Sequence, residues 1–68
     1  MRQVWLIWTQ YEYDSYAVAD VLSSGEVAAR RAERLAASYG GYMPDGTRRW
    51  SKPGGHAIWV EEREVHDD

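Results

Sequence analysis

The sequence predicts an α+β domain in which one helix packs on one face of an antiparallel sheet. Three observations lead to this class. A single segment, residues 23–41, has the composition and the boundaries of a helix. Residues 2–10 and 56–65 are rich in the β-branched and aromatic residues that favour strands. The short separation between residues 2–10 and a second strand at 16–22 is typical of an antiparallel hairpin.

The helix has a start signal and a stop signal. Ser23 precedes Glu26 by three residues, which is the spacing of a capping box, in which each side chain accepts a hydrogen bond from the other residue's backbone amide. Gly40 can take the left-handed conformation that closes a helix, and Gly41 then releases the chain. We therefore expect a helix that is capped by Ser23 and ends before Gly40.

One face of this helix consists mainly of alanine. At about 100° per residue, that face carries Ala28, Ala32, Leu35, Ala36 and Tyr39. Small side chains let the helix lie close to its partner but bury little apolar area. The large apolar residues of the core must therefore come from the strands.

The first strand, residues 2–10, is apolar on both sides. Val4, Leu6 and Trp8 point to one side of the sheet. Trp5 and Ile7 point to the other side. This pattern is typical of a central strand that is covered on both faces. One helix can cover only one of them, so the covering of the second face is the main functional question.

The elements follow the order strand, strand, helix and one or two strands (ββαβ(β)). A right-handed crossover carries the helix over the first strand and leaves that strand in the centre. The expected sheet is antiparallel and three- to four-stranded, with strand order 2-1-4, where strand 4 is residues 56–65 and residues 47–51 form an optional edge strand. The residues expected under the helix are Val4, Leu6, Trp8, Ile58 and Val60.

The uncovered face is the first candidate binding surface. Trp5, Ile7 and Trp59 would form a contiguous apolar patch there, and such patches on a monomer usually mark an interaction surface. Homodimerisation is the first expectation, and a heterologous protein partner or a lid made by residues 42–55 are the alternatives. A one-residue error in register would exchange the two faces.

Composition limits the function classes. The chain has 68 residues, which make one domain spanning residues 1–68, and residues 66–68 are expected to be a frayed acidic tail. Absence of cysteine excludes disulfides and thiolate metal sites, and the net charge of −3 argues against a dedicated duplex-DNA binder. No apolar run approaches the ~20 residues that span a bilayer, and no signal peptide is visible. We expect a cytoplasmic protein without a membrane partner.

Catalytic residues and metal ligands are not suggested by any motif. Ser51 and His56 flank one turn, but no nucleophile-elbow motif surrounds the serine. His56 and His66 are roughly 33 Å apart on a straight strand, so they cannot share a metal within one chain. The sequence therefore predicts a protein that is not an enzyme, with no catalytic residues, no metal and no cofactor.

A basic and aromatic stretch, residues 47–56, gives the alternative function. Its Arg48, Arg49 and Lys52 can contact phosphates, and Trp50 can stack on a base. The stretch lacks any phosphate-loop spacing. A small nucleic-acid-binding module is therefore the second hypothesis, behind protein binding.

A resemblance to short domains of unknown function in phages and bacteria rests on four motifs. They are Val-Trp-Leu-Ile-Trp, Tyr-Glu-Tyr-Asp, Val-Leu-Ser-Ser-Gly-Glu-Val-Ala and Trp-Val-Glu-Glu-Arg-Glu-Val. The resemblance covers most of the chain except residues 42–55. The resemblance implies a fold and an accessory role with a host or phage protein partner. It implies no activity and no functional residues. Together with the residue patterns, it leads to the hypothesis of a non-enzymatic protein-binding module.

Overall fold

The computed structural model describes residues 2–66, and the secondary-structure elements follow one another in the order ββαβββ. Within these residues the elements are β1 (Arg2–Tyr11), β2 (Ser15–Leu22), α1 (Gly25–Tyr39), β3 (Met43–Pro44), β4 (Arg49–Lys52) and β5 (His56–Val65). Most of the predicted acidic tail, Asp67 and Asp68, lies outside the described residues.

The strands form one antiparallel sheet with the order β2-β1-β5-β4-β3. The predicted α+β class and the predicted central position of the first strand are confirmed. The optional strand is real and spans Arg49–Lys52, but it is not at the edge, because it pairs with β5 on one side and with β3 on the other. The predicted three to four strands understate the width, because Met43 and Pro44 pair with Ser51 and Trp50. Residues 42–55 therefore widen the sheet and do not form a lid over it.

The helix starts one residue later than predicted. The cap is Ser24, whose hydroxyl oxygen accepts a hydrogen bond from the backbone N–H of Val27 at 3.3 Å. The predicted capping box between Ser23 and Glu26 is wrong, because Ser24 is itself still extended, with φ −131° and ψ 128°, and the helix begins at Gly25. The predicted end before Gly40 is confirmed, and Gly40 donates its N–H to the Ala36 carbonyl. Its φ of 76° is positive as expected, but its ψ of 152° lies outside the predicted left-handed region.

The core lies between α1 and the two central strands. Ile7 and Ile58 are 1% and 0% exposed, and they pack against Ala28, Ala32 and Ala36 of the helix. The predicted alanine face is thus confirmed for these three residues. Leu35 is half-buried beside them, whereas Tyr39 is exposed at the helix end, contrary to prediction.

The two faces of β1 are exchanged relative to the prediction. Trp5 and Ile7 lie on the helix side, where both pack in the core cluster, so they are not on the uncovered face. Val4, Leu6 and Trp8 lie on the other side. The faces of β5 are as predicted, with Ile58 and Val60 under the helix and Trp59 opposite.

Strand pairing explains this exchange. Ile7 is paired with Val60, and Trp8 is paired with Trp59. Directly paired residues point to the same side of an antiparallel sheet, so the register of β5 fixes the orientation of β1. Because β1 is apolar on both sides, its own sequence does not distinguish the two orientations.

Two turns pack against each other at one end of the sheet. Glu12 and Tyr13, in the turn between β1 and β2, both have positive φ, at 52° and 69°. The Tyr13 N–H donates to the carbonyl of Gly55, in the turn between β4 and β5, at 3.1 Å. A Cβ on Gly55 would lie 2.4 Å from the Tyr13 ring, and Gly55 itself has a φ of 79°. Only glycine fits at this contact.

α1 is neither long nor apolar enough to span a membrane, and residues 2–66 contain no other helix.

Candidate functional site

The candidate site is the open face, by which we mean the side of the sheet opposite α1. A row of side chains crosses this face over four neighbouring strands. From β2 to β4 the row consists of Tyr16, Trp8, Trp59 and Arg49, and we call it the aromatic row.

The members of the aromatic row contact one another in turn. Trp8 and Trp59 are directly paired across β1 and β5, and their rings are stacked with centroids 6.1 Å apart and planes at 12°. Tyr16 meets Trp8 edge-on at 6.4 Å. The Arg49 guanidinium carbon lies 5.3 Å from the Trp59 ring centre, within the distance of a cation–π interaction. Each contact holds its neighbours in place, with aromatic pairs worth roughly 0.5–1.5 kcal/mol.

A carboxylate anchors the centre of the row. The Trp8 indole Nε1–H donates to Glu61 Oε1 at 2.8 Å, and Arg63 Nη2 donates to the same oxygen at 2.9 Å. These two hydrogen bonds, the one from Trp8 first, lower the pKa of the Glu61 carboxyl below its ordinary value. The polar edge of Trp8 therefore has a partner within the chain, and its orientation is fixed.

The open face is partly sealed by its own side chains. Leu6 and Ala57 lie on this side, yet they are only 8% and 3% exposed. The exposed apolar surface is concentrated towards β2, where Tyr16 is 63%, Val18 40% and Val21 53% exposed. The face therefore has a rigid centre and an exposed apolar margin along β2.

Of the three residues predicted to form the interface, the structure places only Trp59 on the open face. Trp5 and Ile7 pack with the helix instead. The residues that sequence reasoning missed are Trp8 and Tyr16. Trp8 could have been found from the pairing of residues 2–10 with 56–65, because a register that joins Trp8 to Trp59 brings both indoles to one face.

The four residues of the nucleic-acid hypothesis are not brought together. Trp50 is half-buried and packs against the core cluster on the helix side. Lys52 lies on the same side, with its Nζ 4.8 Å from the Tyr42 ring centre. Arg49 is on the open face in the aromatic row, and Arg48 is exposed in the loop before β4. The stretch therefore offers no single surface with both a free aromatic ring and several cations.

Ser51 and His56 do not form a nucleophile–base pair. The Ser51 hydroxyl donates to Asp45 Oδ2 at 3.0 Å. The His56 ring meets Tyr11 edge-on at 4.6 Å, and its Nδ1 is buried without a hydrogen-bond partner among residues 2–66. His66 lies 3.7 Å from Glu64, and the described residues contain no cluster of three or more side chains able to hold a metal.

Comparison with known proteins adds no family or function to these observations. No protein-family model matches the chain, and neither a curated protein nor a solved structure matches it.

Proposed function

We propose that the chain is a non-enzymatic protein-binding module whose open face is closed by a second copy of the chain. The observation that carries this proposal is the aromatic row on the side of the sheet that α1 does not cover. Non-enzymatic action is supported by the pairing of β4 with β5, which places Ser51 on the open face and His56 on the helix side, so that these two side chains do not act as a nucleophile and its base.

The aromatic row is suited to protein contact because its side chains are already ordered. Tryptophan, tyrosine and arginine are enriched among the residues that dominate interface energy. Association costs free energy whenever flexible side chains are fixed in the interface. This cost is reduced here, because Trp8 is held in place before a partner binds. It stacks on Trp59 and donates a hydrogen bond to Glu61.

A second copy is a suitable partner because the open face carries both signs of charge. Arg49 and Arg63 lie on the same face as Glu61. In a two-fold symmetric dimer the same patch meets itself, so a mixed-charge patch can place each group opposite a complementary one. Packing of two sheets also gives a 68-residue chain a larger apolar core, which chains of this size lack.

The oligomeric state tests this proposal. Light scattering or sedimentation across a range of concentrations is expected to give twice the chain mass of 7.8 kDa. Trp59→Ser is expected to give a monomer that keeps the fold, which the backbone amide NMR shifts of α1 would show. Far-ultraviolet circular dichroism is not suited to this check, because the stacked Trp8–Trp59 pair contributes to it. Tyr39→Ser is the matched control, because Tyr39 is an exposed aromatic residue at the end of α1. A wild-type chain that stays monomeric at every concentration contradicts the dimer.

A heterologous protein is the second candidate partner for the same face. The sequence resemblance favours a phage or bacterial accessory protein, whose partner would be a host or phage protein. The absence of cysteine fits action in the cytoplasm. Affinity capture from the source cell with wild-type chain and Trp59→Ser would reveal such a partner, since only the wild type should retain it.

The nucleic-acid alternative predicts binding to labelled single strands that weakens with salt. It has less support, because the structure disperses Arg48, Arg49, Trp50 and Lys52.

A further inference from the structure

We propose that the free edge of β2 and the groove beside it bind an extended peptide, which adds a strand to the sheet next to β2. This site is separate from the open face. Its proposed ligand is a segment with an apolar side chain and an acidic side chain two residues apart, both facing α1.

The two edges of the sheet differ in their protection. At one edge β3 is only two residues long and contains Pro44, which has no N–H to offer another strand. At the other edge β2 has eight residues and contains neither proline nor lysine. Asp20, its only charged residue, is held by Arg31 at 2.6 Å. Of the usual means of blocking an edge, β2 has neither short length, nor proline, nor a free charge. It has one, a bulge at Ala19, beside which the Val21 N–H donates to Asp20 Oδ1 at 2.9 Å.

A groove runs beside this edge on the helix side. α1 packs over β1 and β5, and the space between the helix and β2 has a volume of about 340 Å³. Ile7 lies at its base, and Ala19 and Leu35 line it from the strand and the helix. This volume is within the range of ligand-binding pockets and is large enough to receive an aliphatic side chain.

Edge and groove together form a strand-addition site. In this mode of recognition, backbone hydrogen bonds to the edge strand provide affinity, and pockets for alternate side chains provide specificity. Successive side chains of an added strand point to opposite faces of the sheet. Every second side chain would therefore point towards α1 and enter the groove between Leu35 and Ala19.

The rim of the groove specifies an acidic ligand. Arg31 and Arg34 both line it. Arg31 is already paired with Asp20, whereas Arg34 forms no salt bridge with another residue of the described chain, 2–66. A carboxylate on the ligand can therefore pair with Arg34, on the same side of the added strand as the apolar side chain.

A second copy of β2 fits this site poorly. Its helix-side positions Ser15, Ala17 and Asp20 are too small or too polar to fill an apolar groove, and the fourth, Leu22, already packs against the core cluster of its own chain. The register of β1 with β2 also shifts between Ile7 and Trp8, where Ala19 is the extra residue of a bulge. A bulge interrupts a long regular ladder, so a short segment is favoured over pairing of two whole strands.

The probe is a fluorescent hexapeptide of sequence Thr-Leu-Thr-Glu-Thr-Val, with blocked ends, titrated against the full chain and followed by anisotropy. We expect saturable binding. Replacing the peptide's leucine by alanine, or its glutamate by lysine, should weaken binding at least about tenfold. Absence of saturable binding up to about 1 mM overturns the proposal.

Backbone pairing is tested on the peptide itself, so the protein's stability is not affected. Alternate amides of a strand point to the same edge, and only one set can pair with β2. N-methylation of one alternate set should abolish binding, and N-methylation of the other set should leave it within about twofold. Equal effects of the two sets contradict strand addition.

The acidic specificity is tested on the protein with Arg34→Glu, and Arg30→Glu is the matched control on the same helix outside the groove. Arg34→Glu should bind the glutamate peptide at least about tenfold more weakly and the lysine peptide more tightly, whereas Arg30→Glu should change neither beyond about twofold. Equal losses in both variants overturn the assignment. Trp59→Ser should retain peptide binding, which separates this site from the dimer proposed for the open face.

Discussion

The two faces of the sheet are sealed in different ways. On the helix side, Ile7 and Ile58 are buried under alanines that bring α1 close to the strands. On the open face, Leu6 and Ala57 are buried with no helix above them, among the large side chains of the aromatic row. A second layer of structure thus covers one side of the sheet, whereas on the other side large side chains cover only Leu6 and Ala57 and leave the margin along β2 exposed.

This difference assigns separate roles to the two faces. Close packing makes the helix side sensitive to any change in side-chain volume. The margin of the open face is exposed, so substitutions there change the surface more than the core. We therefore expect changes on the helix side to lower the free energy of unfolding, and changes at the exposed margin of the open face to alter association.

The largest expected effect is that of Ile58→Ala. Ile58 is fully buried between β5 and α1, so its truncation leaves a cavity that costs about 3 kcal/mol of unfolding free energy. Val21→Ala on the open face is the comparison, and it should cost less than about 0.5 kcal/mol because Val21 is largely exposed. Urea denaturation measures both. Similar losses in the two variants would contradict the division between the faces.

The second effect tests how closely the helix approaches the sheet. Ala32→Leu inserts three carbon atoms where α1 meets the core, and should cost about 2 kcal/mol through overpacking. Ala37→Leu makes the same change at an exposed position of the helix and should stay within about 0.5 kcal/mol of wild type. If Ala32→Leu were neutral or stabilising in thermal denaturation, the helix would not be closely packed.

The third effect concerns the start of the helix that covers the first face. Ser24→Ala removes the side-chain oxygen that accepts the Val27 N–H, and should cost about 1 kcal/mol. Ser23→Ala serves as the control and should cost no more than a few tenths of a kcal/mol. The opposite order of the two losses would restore the capping box predicted from the sequence.

The smallest effect is the pH dependence that the open face contributes. The pKa of Glu61 is below its ordinary value when the chain is folded, so the unfolded state binds its proton more readily. The stability that the Glu61 carboxylate contributes to the fold is complete above the ordinary pKa of 4.5. It is lost as the pH falls from there through the lowered pKa of the folded state. The melting temperature of wild type should therefore fall more between about pH 5 and about pH 3 than the melting temperature of Glu61→Gln.

Asp20 also has a pKa below its ordinary value, first because Arg31 donates a hydrogen bond to it. Wild type and Glu61→Gln share this group, so the difference between their pH profiles isolates Glu61. Identical profiles would mean that the hydrogen bonds from Trp8 and Arg63 do not persist in solution.

Much of the fold could be predicted from residue patterns. The alanine face, the glycine stop at Gly40 and the central position of β1 follow from local spacing and from connection rules. The predicted cap differs from the observed one by one residue because Ser23 and Ser24 are both able to cap, and the extended conformation of Ser24 decides between them. The two-residue β3 has no sequence signal of its own, and it exists because Met43 and Pro44 meet β4.

The candidate site was harder to predict than the fold. β1 carries large apolar residues on both sides, so the choice between Trp5 and Trp8 for the open face depends on its register with β5, which is a property of two distant segments. The aromatic row spans four strands, and the groove beside β2 depends on where α1 lies. Neither arrangement is encoded in a local pattern.

The contact between Tyr13 and Gly55 also affects how the chain folds. Positive φ at Glu12 and Tyr13 costs about 1–2 kcal/mol per residue, and the hydrogen bond that helps to hold this turn comes from the far end of the chain. The N-terminal hairpin thus lacks part of its support until the last strands have docked. Such long-range dependence slows folding and couples the first and last strands in a single cooperative transition.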